Sequence, residues 1–190
     1  MPGPSQPACC YNALGVDPFI MMDWPRQLHD VLREASVRQV AHVPDAGHAE
    51  LIRLCNDDPA MKVIGLTGEQ QGVALLAGAH LGGERGVLLM QSSGVGNCIN
   101  MLSLTQTCRF PLLMLVTMRG EWGEFNPWQV PMGQAVAKTL EAMQVIVKRA
   151  DSAAVLAETV IAAANLAFHS HRPVATLISQ RLLGAKDFKG

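Results

Sequence analysis

Charge is scarce in this 190-residue chain: Asp, Glu, Lys and Arg together make up 16%, against about 25% in an ordinary globular protein. Fifteen basic and sixteen acidic residues leave a net charge of −1, so no basic field is available to hold nucleic acid. The five cysteines are odd in number and contain no C-x-x-C pair, which argues against a disulfide framework and a structural zinc site. No apolar run approaches the ~18 residues that span a bilayer. No G-x-S-x-G elbow is present, which removes nucleophile-elbow hydrolase chemistry. The amino terminus, Met1-Pro-Gly-Pro-Ser-Gln-Pro7, has neither the basic start nor the apolar stretch of a signal peptide. Residues 1–22 therefore read as a loose leader, and a reducing, cytoplasmic setting is expected. What the chain has instead is apolar bulk, 49% of its residues. That is enough for a sizeable core and for surface to be buried against a partner.

The apolar residues fall into an alternating pattern. Asp23 before Trp24-Pro25 is a helix start with a side-chain oxygen for the free amides, and Leu28, Val31, Leu32 and Ala35 extend a helix over 24–37. Strands are expected at Val37–Val43, Lys62–Leu66, Gly86–Gln91, Pro111–Thr117, Gln144–Lys148 and Pro173–Ile178. Helices are expected at 47–55, 70–81, 96–107, 134–143 and 152–168, with a loop at 119–133. Strands alternating with helices of this length specify a parallel sheet. The fold class is thus α/β, one doubly wound domain of about six mainly parallel strands with helices on both faces. It spans residues 23–184 and is followed by a short tail, 185–190. Ligands of such sheets sit beyond the carboxyl ends of the strands, which selects the segments at 44–48, 67–69 and 91–97 and the loop after Thr117.

Each selected segment has a plain reading beside a functional one. Ser93–Asn97 (S-G-V-G-N) follows a buried strand, and Gly94 and Gly96 permit close backbone approach to a ligand. It lacks the third glycine and the later carboxylate of a dinucleotide site, and it is otherwise a tight turn. Glu69 opens an unusually small-residue apolar helix. An acid there is favoured by the helix dipole, but a partly desolvated carboxyl at a strand end also has a proton to share. Asp45 and His48, in V-P-D-A-G-H, are either a helix cap and an outward-facing first-turn residue or a pair facing a ligand. The loop from Met118 to Gly133 carries Arg119, Glu121, Glu124, Gln129 and two tryptophans. It is too rich in special residues for a connector, although Trp122 and Trp128 also suit subunit docking. His169-Ser-His171, at a helix end, is more simply a dipole partner than a metal site.

Taken in order, these segments resemble the pyrimidine-binding domain of thiamine-diphosphate-dependent decarboxylases, in particular the sulfopyruvate and phosphonopyruvate decarboxylase group. The resemblance covers roughly residues 24–184. It is carried by V-P-D at 43–45, G-E at 68–69 with Gly78, L-L-M-Q-S-S-G-V-G-N at 88–97, R-G-E-x-G-E at 119–124, P-x-Q-x-P-M-G at 127–133 and P-V-A at 173–175. The long R-G-E…Q-x-P-M-G loop is its specific part. Ala46, Met118, Gly68 and Gln70-Gln71 depart from the group's usual residues.

The resemblance implies a catalytic role for Glu69, whose counterpart hydrogen-bonds the cofactor's aminopyrimidine and favours its imino tautomer; His48 is a second catalytic candidate. Thiamine diphosphate would lie against Pro44, Asp45, Ser93, Gly94, Gly96 and Asn97. Asp45, His48, Gln91, Ser92, Arg119 and Gln129 would meet a small anionic 2-oxo acid, whose decarboxylation gives an aldehyde. No metal ligand is expected within the chain. The group holds the diphosphate and Mg2+ through a G-D-G motif, which this sequence lacks. A beta subunit with the diphosphate-binding domain is therefore implied, in an α2β2 or larger heteromer. A carboligase subunit and a nucleotide-binding α/β protein are the alternatives.

Overall fold

The computed structural model describes residues 23–184. The leader 1–22, with Cys9 and Cys10, and the tail 185–190 lie outside the described residues. Six parallel strands form one sheet: β1 (Val37–His42), β2 (Lys62–Gly65), β3 (Arg85–Gln91), β4 (Leu112–Thr117), β5 (Ile146–Ala150) and β6 (Pro173–Ile178), in the order β2-β1-β3-β4-β6-β5. β4 and β6 are buried along their whole length, as apolar runs covered on both faces must be. The edge strands β2 and β5 instead carry Lys62, Lys148 and Arg149, charges that discourage further strand pairing.

Alternation of side chains divides the core in two. Val87, Leu89, Leu113 and Leu115 pack beneath α1 (Trp24–Glu34), α2 (Ala49–Asp57) and α7 (Ala153–Ser170). Leu88, Met90, Met114 and Val116 pack beneath α3 (Glu69–Leu81), α4 (Val95–Cys98), α5 (Ser103–Cys108) and α6 (Val130–Ala142). The last element among the described residues is a short α8 (Gln180–Leu183).

Several expectations need correction. The single helix at 96–107 is two short ones, α4 and α5. Thr105 and Thr107 turn their hydroxyls back onto the Leu102 and Ser103 carbonyls, the competition with the backbone that weakens Thr in helices. Asp23 makes no side-chain cap bond and pairs instead with Arg26 at 3.2 Å. Gln144 is not in a strand but in the left-handed region at φ 60°. α6 starts four residues early because Pro131 fits a first helical turn. By length and composition α7 is long and apolar enough to cross a membrane, although no run of that kind was expected. It lies on the sheet, with Leu156, Val160, Ala163, Ala164, Ala167 and Phe168 buried.

Close packing at Gly86 and open space at Gly78 give a paired test. A Cβ on Gly86 would overlap Leu76 and approach the Gln39 carbonyl to 2.9 Å, whereas one on Gly78 meets nothing within 4 Å. Gly86→Ala is expected to destabilise the chain by about 1–3 kcal/mol. Gly78→Ala, in a helix interior, is expected to stabilise it by up to about 1 kcal/mol. Urea unfolding of both variants checks the pair, and equal effects would contradict the packing described.

Candidate active site

Strand order reverses at β1 and β3: the chain leaves β1 for β2 on one side and returns to β3 on the other. Loops diverge at such a point and leave a crevice past the carboxyl ends. Glu69, the first residue of α3, is 8% exposed there. Its Oε2 accepts a 2.8 Å hydrogen bond from Asn97 Nδ2. Gly94 lies against the carboxylate so closely that a Cβ at that position would overlap it. Cys98 is buried below, its thiol pushed up to about 12 by burial and by the Glu69 charge. Gly94 and Asn97 of the Ser93–Asn97 turn thus wall in the Glu69 carboxylate. A dinucleotide phosphate fits poorly, since a carboxylate fills the approach and α4 has only four residues.

A second group continues from the other side of β3. Asp45 accepts hydrogen bonds from Thr117 Oγ1 at 2.6 Å and Gln91 Nε2 at 3.1 Å, and Ser93 Oγ donates to Gln91 Oε1 at 3.0 Å. Burial opposes ionisation of Asp45, but these bonds and the facing His48 outweigh it and hold the carboxyl below its ordinary value. His48 is completely buried, Nδ1 lies 3.6 Å from Asp45 Oδ2, and neither ring nitrogen has a hydrogen-bond partner. Burial, reinforced by nearby His42 and opposed by Asp45, drives its pKa down to about 4. A Cβ on Gly47 would crowd both Asp45 and Thr117, so the turn passes directly over the pair.

The loop at 118–133 is braced from within. Arg119 donates from Nε and Nη2 to the two oxygens of Glu124, at 2.6 and 2.5 Å. Glu124 also accepts from the Gly120 and Asn126 amides and from Gln180 Nε2. Those bonds, Arg119 first, hold its pKa near 2. Gln180 Oε1 accepts from the amides of Glu121 and Trp122, and Glu121 pairs with Arg149 at 2.6 Å. Gly120 sits at φ 75° with the Gln129 carbonyl oxygen where a Cβ would stand, which only glycine permits.

The structure thus brings the expected residues to one edge but in different states. Asp45, Glu69, Gln91, Ser93, Gly94 and Asn97 form connected polar contacts, with Pro44 exposed beside them and Gly96 beside Met132. His48 and Ser92 are sealed from solvent, Ser92 Oγ accepting the Arg119 amide at 3.1 Å. Both were expected to meet substrate, and neither is open to solvent in this chain. Arg119 was expected to meet substrate too, and two of its nitrogens are committed to Glu124. Gln129 has a buried Oε1 without a partner. Thr117 and Gln180 were missed as site residues, although both stand at carboxyl ends of buried strands. Among the described residues no group of His, Cys, Asp and Glu is placed to hold a metal ion, and His171 meets His80 edge-on instead.

Residues 22–127 match the family of thiamine pyrophosphate enzymes, N-terminal TPP binding domain. The chain belongs to that family. Among its relatives, sulfopyruvate decarboxylase subunit alpha of Methanothermobacter thermautotrophicus is 31% identical over 148 residues, 77% of this chain and 90% of the relative. Sulfopyruvate decarboxylase of Methanosarcina acetivorans is 30% identical over 163 residues, 83% of this chain but 40% of that longer one. In fold the chain is similar to 2-oxoglutarate:ferredoxin oxidoreductase from Magnetococcus marinus. The TM-score is 0.70 at 15% identity, covering 84% of this chain and 29% of that one. The residues fit the family's cofactor: Glu69 Oε1 has no hydrogen-bond partner among the described residues, and the carboxylate is seated in the space that a side chain at position 94 would fill.

The buried titrating groups fix how stability depends on pH. Unfolding raises His48 from about 4 to its ordinary 6.5, so the unfolded chain takes up a proton between those values. Stability therefore falls as pH drops from about 6.5 to 4. Glu124 adds a second loss from 4.5 towards 2. In His48→Gln the first loss should shrink to the part contributed by His42, whose pKa burial also lowers, and the second should remain, read from urea midpoints across pH. An unchanged slope between 6.5 and 4 would contradict the buried neutral imidazole.

Proposed function

We propose that this chain is the pyrimidine-side subunit of a thiamine-diphosphate-dependent decarboxylase, acting on a small anionic 2-oxo acid of the sulfopyruvate or phosphonopyruvate class. The observation that carries this is the Glu69 carboxylate, 8% exposed at the amino end of α3, held by Asn97 and seated on Gly94. Glu69 would hold the pyrimidine through Oε1, with Ser93, Gly94 and Gly96 supplying close backbone and Asn97 keeping the carboxylate in place. Thiamine diphosphate, when bound, supplies the electron sink that decarboxylation of a 2-oxo acid requires. Asp45, aimed by Thr117 and Gln91, lines a cavity of about 70 Å³ with Ala46, Gly47, Thr117, Arg119 and Gln180. It would meet substrate and hold or move a proton. His48 acts behind it.

A beta-type subunit would bring the diphosphate and Mg2+ site, in an α2β2 or larger assembly. The sequence has no G-D-G, the Methanothermobacter relative is named as a subunit, and the Methanosarcina chain is more than twice the matched length. Exposed Trp128, Val130 and Ile99 offer apolar surface for that partner. Free Cys55, Cys98 and Cys108 suit a reducing cytoplasm.

In the complex reconstituted with its partner, Glu69→Gln should lower decarboxylation at least about 100-fold while association is kept. Turnover within about threefold of wild type would remove Glu69 from the mechanism. Arg119→Ala should cost kcat/KM at least about tenfold, near 1.4 kcal/mol, and equally for sulfopyruvate and pyruvate, because Arg119 braces the loop through Glu124. A loss confined to sulfopyruvate would make Arg119 a direct contact to the second anionic group.

A further inference from the structure

The opposite, amino edge of the sheet carries a concavity of about 420 Å³ lined by Thr105, Gln106, Arg109, Ser170, His171 and Arg172. Two loops form it, the turn from α5 into β4 and the turn from α7 into β6, and they run side by side because β4 pairs with β6 from Leu112 and Pro173 onward. The chain describes ten arginines. Eight have side-chain partners: Arg26, Arg33, Arg53, Arg119 and Arg149 pair with carboxylates, Arg38 and Arg85 donate to carbonyls, and Arg181 lies over Trp122. Among the described residues Arg109 and Arg172 alone have none, and both line this one concavity.

The other lining groups point the same way. No carboxylate is among them, Ser170 and His171 add donors, and Gln106 Nε2 makes only long contacts of 3.5 Å to Thr105 Oγ1 and the Gln144 carbonyl. Thr105 forms the floor, its hydroxyl already given to the Leu102 carbonyl. Arg109 and His171 both hold left-handed backbone, each at φ 52°, where a helix end favours glycine. Basic residues near helix carboxyl termini are favoured by the dipole alone, but α7 already has His169 in its last turn. Dipole compensation also gives no reason for two unpaired guanidiniums to share a cavity.

We propose that this concavity is a binding site for a small metabolite bearing a tetrahedral oxyanion such as a phosphate group, held by Arg109 and Arg172 with His171, Ser170 and Gln106. Guanidinium forks match such oxygens bidentately, and the volume is within the range of small-molecule sites. The site lies across the sheet from Glu69, so its occupant is not the substrate, and the inference does not depend on the proposed reaction.

Inorganic phosphate is the probe, titrated calorimetrically into the full chain with NaCl holding ionic strength constant. One phosphate per chain is expected, with Kd at or below about 1 mM. Arg109→Gln or Arg172→Gln should each weaken it at least about tenfold, and the double variant should show no saturable heat. Both side chains are solvent-exposed, and thermal melts of the variants confirm that they fold. Absence of saturable binding to the wild-type chain up to about 20 mM, or binding unchanged in the double variant, would overturn the site.

Discussion

The contact between Glu69 and Gly94 is the constraint around which this edge of the molecule is arranged. A carboxylate starting a helix is stabilised by the helix dipole, yet one that is 8% exposed also needs a specific donor. Asn97 supplies it, one turn beyond the glycine whose missing side chain makes the space. The contact exists only because β3 lies beyond β1 from β2, which brings the turn after β3 to the helix after β2. Strand order, turn composition and the helix start are therefore one requirement, not three.

Beyond that contact, the edge is organised by the pairing of scarce charges. Arg119 with Glu124, and Arg149 with Glu121, tie the loop at 118–133 to itself and to β5, while Gln180 joins both acids to the end of β6. A half-satisfied network of this kind destabilises a fold, whereas a complete one fixes a single arrangement. Asp45 is ordered in the same manner by Thr117 and Gln91. The exceptions at this edge are His48, with two bare nitrogens, and Gln129, with a bare Oε1; burial keeps the His48 ring neutral.

Much of this was legible in the sequence. The buried strands β3, β4 and β6 announce themselves as unbroken apolar runs, and the rule that ligands sit at carboxyl ends led to Asp45, Glu69 and Ser93–Asn97 without coordinates. Boundaries slipped where local chemistry overrode periodicity, as at the hydroxyl-rich α5; at Asp23 the expected helix start stands, but its side chain pairs with Arg26 instead of capping. Partner choice was not legible. Nothing in the spacing of Arg119 distinguishes a carboxylate five residues ahead from a ligand. Gln180 and Thr117 carry no motif, so their roles emerge only when strands distant in sequence are laid side by side. Burial of His48 and Ser92 was equally hidden, since polar residues at turns usually face water.

The central claim is that Glu69 presents a carboxylate oxygen to the cofactor's pyrimidine ring. The most direct test is a crystal structure of the chain with its partner subunit and thiamine diphosphate. The account predicts Glu69 Oε1 within hydrogen-bond distance of a pyrimidine nitrogen, about 2.6–3.0 Å, with Asn97 still on Oε2. A pyrimidine ring lying elsewhere, with Glu69 bonded to protein alone, would contradict it.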